Sequence, residues 1–303
     1  MGERRFLARR VAIREFGRRE SVVDHSWEMR PMTRREVDWA VDLAEAEGWN
    51  PGLGDAEAFF AQDPGGFLMG LVDGEPAGCL SAVSYGPRFG FLGFYIVLPS
   101  FRGQGYGVQL WEQGMARLTG RVVGLDAVVA QQENYRKSGF VYAHAQFRFE
   151  GVTGGGGAAP EIFPLSAVPF ENLCRYDATL FPAERPAFLA PWTRSPHSVG
   201  RAWLEDGELR GYGVLRKCRR GYKVGPLFAE TPPGAEMLLD QLLGSVPPGE
   251  PFFLDVPEPN GAALALVRRR GMEAVFETGR MYVGKAPTVR LEGIFGVTSF
   301  ELG

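Results

Sequence analysis

Residues 99–107 read PSFRGQGYG: Arg102 is followed by alternating glycines, Gly103, Gly105 and Gly107, with Gln104 and Tyr106 between them. Glycines let backbone N–H groups approach closely and converge. A helix starting at such a turn adds the positive end of its dipole, so the segment suits a phosphate or pyrophosphate, and Arg102 supplies formal charge. Spacing separates the competing motifs. A Walker A loop needs lysine then serine or threonine after its glycines, and a dinucleotide fingerprint needs a third glycine where Val108 stands. Asp126 lies where that fingerprint places an acidic residue, but it does not restore the glycine pattern. Further on, LDAVVAQQENYRKSGF at 125–140 sets Tyr135 four residues before Gly139 and Phe140. By pattern alone, Tyr135 reads equally as an interior aromatic on a helix face.

The turn needs a strand before it and a helix after it. Residues 89–98 are apolar enough for a strand, and 108–118 carry Val108, Leu110, Trp111, Met115 and Leu118 at helical spacing. Residues 122–129 read as a buried strand. Upstream, a short strand is expected at 27–29. Thr33 with Glu36 three residues on has the spacing of a capping box, opening a helix that Gly48 ends. A second short helix is expected near 55–62. Residues 67–72 and 77–84 form strands about an Asp73-Gly74 hairpin turn.

In that setting Arg102, Gly105 and Gly107 resemble the [RQ]xxGx[GA] signature of the GNAT N-acetyltransferase superfamily, and Tyr135 with Gly139-Phe140 resembles its second hallmark. The resemblance implies an α/β (α+β) fold, with a mixed, mostly antiparallel twisted sheet flanked by helices. It implies acetyl-CoA as co-substrate, no metal, and direct attack of an amine on the thioester. Tyr95, Ile96, Val97 and the 102–107 turn would hold the coenzyme. Backbone N–H groups near Ile96 and Val97 would polarise the thioester carbonyl, and Tyr135 would protonate the departing thiolate. The family's common asparagine is Val129 here, which leaves Gln131, Gln132 or Asn134 to contact pantetheine. No glutamate lies within 89–98, so the general base stays unassigned.

The glycine run at 151–160, GVTGGGGAAP, suits a linker. Beyond it FLMGLVDGEPAGCLSAV at 67–83 is echoed by GRAWLEDGELRGYGVLR at 200–216, which implies a duplicated unit. Residues 254–272 repeat the strand-helix motif with Asn260, but Val267 takes the tyrosine position. Glu230, Pro232 and Pro233 replace the phosphate turn. The second half resembles the C-terminal domain of YitH/HolE-type acetyltransferases, down to the ending GVTSFELG. The expected organisation is a basic extension (1–25), a catalytic GNAT domain (26–150), a linker (151–160) and a degenerate GNAT-like domain (161–303) shaping the acceptor pocket. Acceptor contacts are expected among Trp49, Asn50, Tyr95, Glu205, Asp206 and Asp255.

Composition excludes other classes. At 303 residues, 45% hydrophobic and 23% charged, the chain can fill two cores, and a net charge of -3 gives no global pull toward nucleic acid or an anionic membrane. Cys79, Cys174 and Cys218 are odd in number and scattered, so neither a disulfide framework nor a zinc motif is expected, nor a Cys-His hydrolase. No apolar run reaches the roughly 20 residues of a membrane span. The chain reads as cytoplasmic, with a small-molecule or peptide amine as acceptor and neither nucleic acid nor membrane as partner. Its oligomeric state is left open. The rival readings are a CoA-binding sensor without turnover, which the missing base permits, and a tRNA-dependent aminoacyl transferase that binds no CoA.

Overall fold

The computed structural model describes residues 25–154, 156 and 159–303; the expected basic extension, apart from His25, lies outside them. In the first half the chain forms β1 (Trp27–Pro31), α1 (Arg34–Ala46), α2 (Asp55–Gln62), β2 (Phe67–Val72) and β3 (Glu75–Tyr85). It continues through β4 (Phe89–Val97), α3 (Tyr106–Arg117), β5 (Val122–Val128), α4 (Gln132–Lys137) and β6 (Val141–Val152). The second half gives β7 (Ile162–Pro164), α5 (Phe170–Asp177), α6 (Pro186–Arg194), β8 (Ser198–Glu205), β9 (Glu208–Lys217) and β10 (Tyr222–Ala229). After these come α7 (Pro232–Leu243), β11 (Pro251–Pro257), α8 (Gly261–Arg269), β12 (Glu273–Val283) and a short β13 (Ile294–Gly296).

The repeat seen in the sequence has matching local conformations. Asp73 and Gly74 turn β2 into β3 with φ of 51° and 82°, and Asp206 and Gly207 turn β8 into β9 with 53° and 79°. Two successive positive φ values suit the right-handed twist of the flanking strands, and Asp-Gly supplies them at low cost. Thr33 caps α1 as expected, receiving the Glu36 N–H while Glu36 accepts from the Thr33 N–H at 2.7 Å. Several boundaries differ from expectation, among them those of β3, which spans Glu75–Tyr85 rather than 77–84. β1 runs to Pro31, and α3 begins at Tyr106 because Gly105, at φ 88°, turns the chain directly into the helix. Val108, placed on the apolar stripe by spacing, is 58% exposed beside the glycine turn.

All thirteen strands join one mostly antiparallel sheet, with twelve in the order β1-β2-β3-β4-β5-β12-β6-β11-β10-β9-β8-β7 and β13 pairing β10. Renaming β1–β6 as β7–β12 and the reverse leaves that order unchanged, so the halves are related by a pseudo-twofold axis at the sheet's centre. There they exchange strands: β12 lies between β5 and β6, and β6 lies between β12 and β11. The exchange places two equivalent ion pairs. Arg280 on β12 is bidentate to Asp126 on β5 at 2.7 and 2.8 Å, and Arg148 on β6 is bidentate to Asp255 on β11 at the same two distances. All four side chains are at least nine-tenths buried.

The halves also meet through α2 and α6. Phe59 stacks on Phe67 of its own half and on Phe188 and Trp192 of the other. Full burial of a phenylalanine contributes about 1.5–3 kcal/mol. Beneath Phe59, Asp55 pairs with Arg216 of β9, both buried. Separate apolar clusters lie under α3 and under α7 with α8.

Candidate active site

β4 and β5 run parallel and paired from Phe89–Val122 to Leu92–Leu125, then diverge. The divergence has a local cause. The β3–β4 register shifts by one residue between Cys79 and Ser81, a bulge in which Phe94 takes φ 48°. Cys79 donates its thiol hydrogen to the Phe94 carbonyl at 3.1 Å, and burial pushes that thiol up to about 12, so it is a packing residue and not a nucleophile. Past the bulge, the Leu98 N–H donates to Ala77 at 2.9 Å, and antiparallel alternation turns the Val97 N–H away from β3 into the opening.

At the outer end of the opening sits the glycine turn. Gly103 and Gly105 have φ of 75° and 88°, a region that side chains disfavour. Among the described residues, no acceptor meets the N–H groups of residues 103–107. Gly107 keeps α3 close to β4: a Cβ there would lie 2.8 Å from the Tyr95 hydroxyl. These features fit the pyrophosphate of an acyl-CoA, whose thioester would extend down the opening. Arg102 stands half-exposed at the rim, donating to the Val97 carbonyl at 2.7 Å and to Glu47 at 2.9 Å. Gln104 donates to the Ser100 carbonyl at 2.8 Å. The Tyr106 ring is stacked on Trp27 at 5.1 Å, so its side chain packs inward and leaves only its backbone to the turn.

The opening leads into a cavity of about 400 Å³ walled by Tyr95, Ile96, Val97, Trp111, Val128 and Tyr135 from the first half. Tyr135 packs on Trp111 and Phe140, with ring centroids 5.3 and 6.3 Å away. Burial pushes its phenol above the ordinary tyrosine range, with Tyr95 adding to the effect. Gln131 lines the cavity and accepts from the Asn134 amide at 2.8 Å. The Gln132 amide instead lies against Gly279 of β12, where a Cβ would come within 2.7 Å.

The inner wall comes from the exchanged strands and the segment after β13: Arg148, Phe276, Thr278, Phe300 and Glu301. Trp49 lines the cavity and its carbonyl accepts from Arg148 at 2.7 Å. The other acceptor candidates lie elsewhere. Asn50 is spent on both backbone groups of Arg220, at 3.0 and 2.9 Å. Glu205 sits at the β8–β9 turn, 3.8 Å from Arg210. Asp255 is committed to Arg148: burial alone would raise its carboxyl, but the guanidinium reverses the shift downward. Sequence reasoning missed Glu301, which lies more than 200 positions from the strand it faces. Its only trace was the ending GVTSFELG.

The second half has the same divergence. β10 and β11 pair in parallel over Tyr222–Val224 and Phe252–Leu254 and then separate, but β13 fills the gap, pairing with β10 while the Val297 N–H donates to the Asp255 carbonyl at 2.8 Å. Only about 30 Å³ is left there. The start of α7 offers no cradle, since Pro232 and Pro233 lack N–H groups and Thr231 caps the Gly234 N–H.

Residues 25–141 match the model of the Acetyltransferase (GNAT) family, and 173–296 match that of an Acetyltransferase (GNAT) domain. The chain is 32% identical to the holothin acyltransferase of Pseudoalteromonas sp. (strain SANK 73390) over 279 residues, covering 92% of this chain and 95% of the relative. The chain belongs to the GNAT acetyltransferase family. As a tandem GNAT acyltransferase it also shares its fold with solved proteins. A candidate acetyltransferase of Pyrococcus horikoshii superposes with a TM-score of 0.79 at 19% identity, over 95% of this chain and all of that one. A tandem GNAT protein from the clavulanic acid biosynthesis pathway gives 0.60 at 14% identity, over 86% of this chain and all of that one. Among the described residues of this acyltransferase, no helix is long and apolar enough to cross a membrane.

Proposed function

We propose that this acyltransferase moves an acetyl group from acetyl-CoA to a primary amine, on a small-molecule or peptide acceptor, at a single site in the first half. The observation that carries the reading is the set of unpaired N–H groups at 103–107, opening onto a cavity that continues between β4 and β5. Backbone donors fixed before the substrate arrives need no reorganisation to hold negative charge. The Val97 N–H polarises the thioester oxygen, and Tyr135, kept protonated by burial, gives its proton to the sulfur. Residues 26–150 carry the coenzyme, and 161–303 close the acceptor side. Holothin, named in the relative's activity, belongs in the first amine panel.

A ligand that binds only the folded state raises the melting temperature, by the equivalent of about 2.7 kcal/mol at 100 times its dissociation constant. Acetyl-CoA should stabilise the parent, and Arg102→Glu should lose that shift. Arg102 is half-exposed, so its own contribution to stability is about 1 kcal/mol or less. A folded parent with no shift from acetyl-CoA or longer acyl-CoAs would overturn the reading.

A further inference from the structure

An attacking amine must lose a proton, and three carboxylates border the cavity. Glu47 is at the rim, bound to Arg102. Asp126 is fully buried, bidentate to Arg280 and also accepting from Gln146 at 2.6 Å. Glu301, 4% exposed, differs: cationic side chains lie near it, but among the described residues none donates a hydrogen bond to its carboxylate. With no hydrogen bond from the protein, those oxygens are free to accept one from a ligand in the cavity that the residue lines.

The backbone holds Glu301 firmly. Residues 298–302 are all at most 7% exposed. Thr298 accepts from Arg185 at 2.9 Å, the Leu302 N–H donates to Ser299 Oγ at 3.1 Å, and Tyr85 donates to the Leu302 carbonyl at 2.9 Å. The Glu301 carbonyl lies over Gly93, where a Cβ would come within 2.1 Å, so the segment crosses β4 at the point where β4 leaves β5. The cavity that Glu301 lines is walled largely by aromatic rings: Phe300 and Phe276, with the Arg148 guanidinium 5.0 and 5.8 Å from their centroids, and Trp49 and Phe94. Arg148, Arg216 and Lys223 lie within electrostatic range of Glu301.

We infer that Glu301 binds the acceptor's ammonium and serves as the general base, and that the acceptor is a small primary amine on a flat, apolar body. The inference rests on the acyltransferase site proposed above. Glu301 takes one proton from the ammonium. The freed lone pair forms the C–N bond, the C–S bond breaks, and sulfur leaves with its electron pair to receive the Tyr135 proton. The nitrogen's second surplus proton passes to solvent, which also restores Tyr135 and Glu301, so one proton is released per turnover.

The test compares two nucleophiles at saturating acetyl-CoA. 2-Phenylethylamine is an ammonium at neutral pH and needs both roles of Glu301, whereas hydroxylamine is already neutral and needs neither. Glu301→Gln should lose at least 100-fold in kcat/KM for 2-phenylethylamine and less than tenfold for hydroxylamine, while its acetyl-CoA-induced melting shift matches the parent's. Raising the pH should narrow the gap between variant and parent for 2-phenylethylamine, and Glu301→Asp should recover part of the loss. Equal losses for both nucleophiles, no loss for either, or a parent that binds acetyl-CoA and acetylates neither would overturn the assignment. A parent that fails to bind acetyl-CoA would instead remove the acyltransferase reading beneath it.

Discussion

Tyr135 is held by packing, with its ring between Trp111 and Phe140 and no hydrogen bond fixing the hydroxyl among the described residues. Removing that hydroxyl should therefore leave the fold and the proposed coenzyme site in place and remove only the proposed proton donor. Tyr135→Phe is expected to lower kcat by about 100-fold or more, as loss of a positioned general acid does, with little change in the acetyl-CoA-induced melting shift. The sign of the phenol's shift adds a pH test. Burial raises its pKa, so in the parent this donor stays protonated past the ordinary tyrosine range. No loss of kcat traceable to Tyr135 should appear below about pH 10. An alkaline fall near pH 8 that disappears in Tyr135→Phe would contradict the placement. At this scale the sequence was legible where function depends on local spacing. Arg102, Gly105, Gly107 and Tyr135 sit within 34 consecutive residues, and their order alone pointed to the candidate site. It was not legible for Glu205, Asn50 and Asp255, whose surroundings are set by contacts across the halves.

Among the elements, β13 and the segment after it link the two sites. β13 closes the β10–β11 divergence and the residues after it lie across β4, so one stretch of chain fills the second-half gap and furnishes part of the wall of the first-half cavity. Gly93 is the seat of that crossing. In Gly93→Ala the new methyl would meet the Glu301 carbonyl at 2.1 Å, and the obstacle is backbone rather than the end of a flexible side chain. Overpacking of this kind costs about 1–3 kcal/mol, to be read as a lower melting temperature. Displacing Glu301 should also reduce turnover of 2-phenylethylamine while the glycine turn, about ten residues further along, still binds acetyl-CoA. Gly107→Ala makes the contrast, because its methyl would meet the tip of the Tyr95 side chain, which can move aside. Elements with their own periodicity were legible in advance: α2 spans 55–62 and β2 spans 67–72 as expected. β13 was not, because three residues without alternation carry no periodic signal, and their strand pairing depends on a partner more than sixty residues away.

At the scale of the whole molecule, the glycine-rich segment separates the halves in sequence but not in the sheet. β6 runs through the first two residues of that segment, Gly151 and Val152, and pairs with β11 and β12 of the second half, while β5 pairs with β12. Residues 25–154 alone would leave β5 and β6 without a common neighbour, and would strand Arg148 and Asp126 without Asp255 and Arg280. Losing one partner of a buried pair costs about 3–5 kcal/mol, and two such losses are comparable to the whole stability of a typical domain, about 5–15 kcal/mol. The duplication was visible in the sequence, since each half repeats its own hairpin. The exchange was not, because β6 and β12 occupy equivalent places in the repeat and either partner satisfies the same pattern. Expressed separately, 25–154 and 159–303 should each lack a cooperative thermal transition. Co-expressed, they should assemble into a complex whose melting temperature rises with acetyl-CoA. A cooperative, acetyl-CoA-responsive melt of 25–154 alone would show that its strands can pair without the second half. The exchange would then be a way of bringing Glu301 to the cavity rather than a condition of folding.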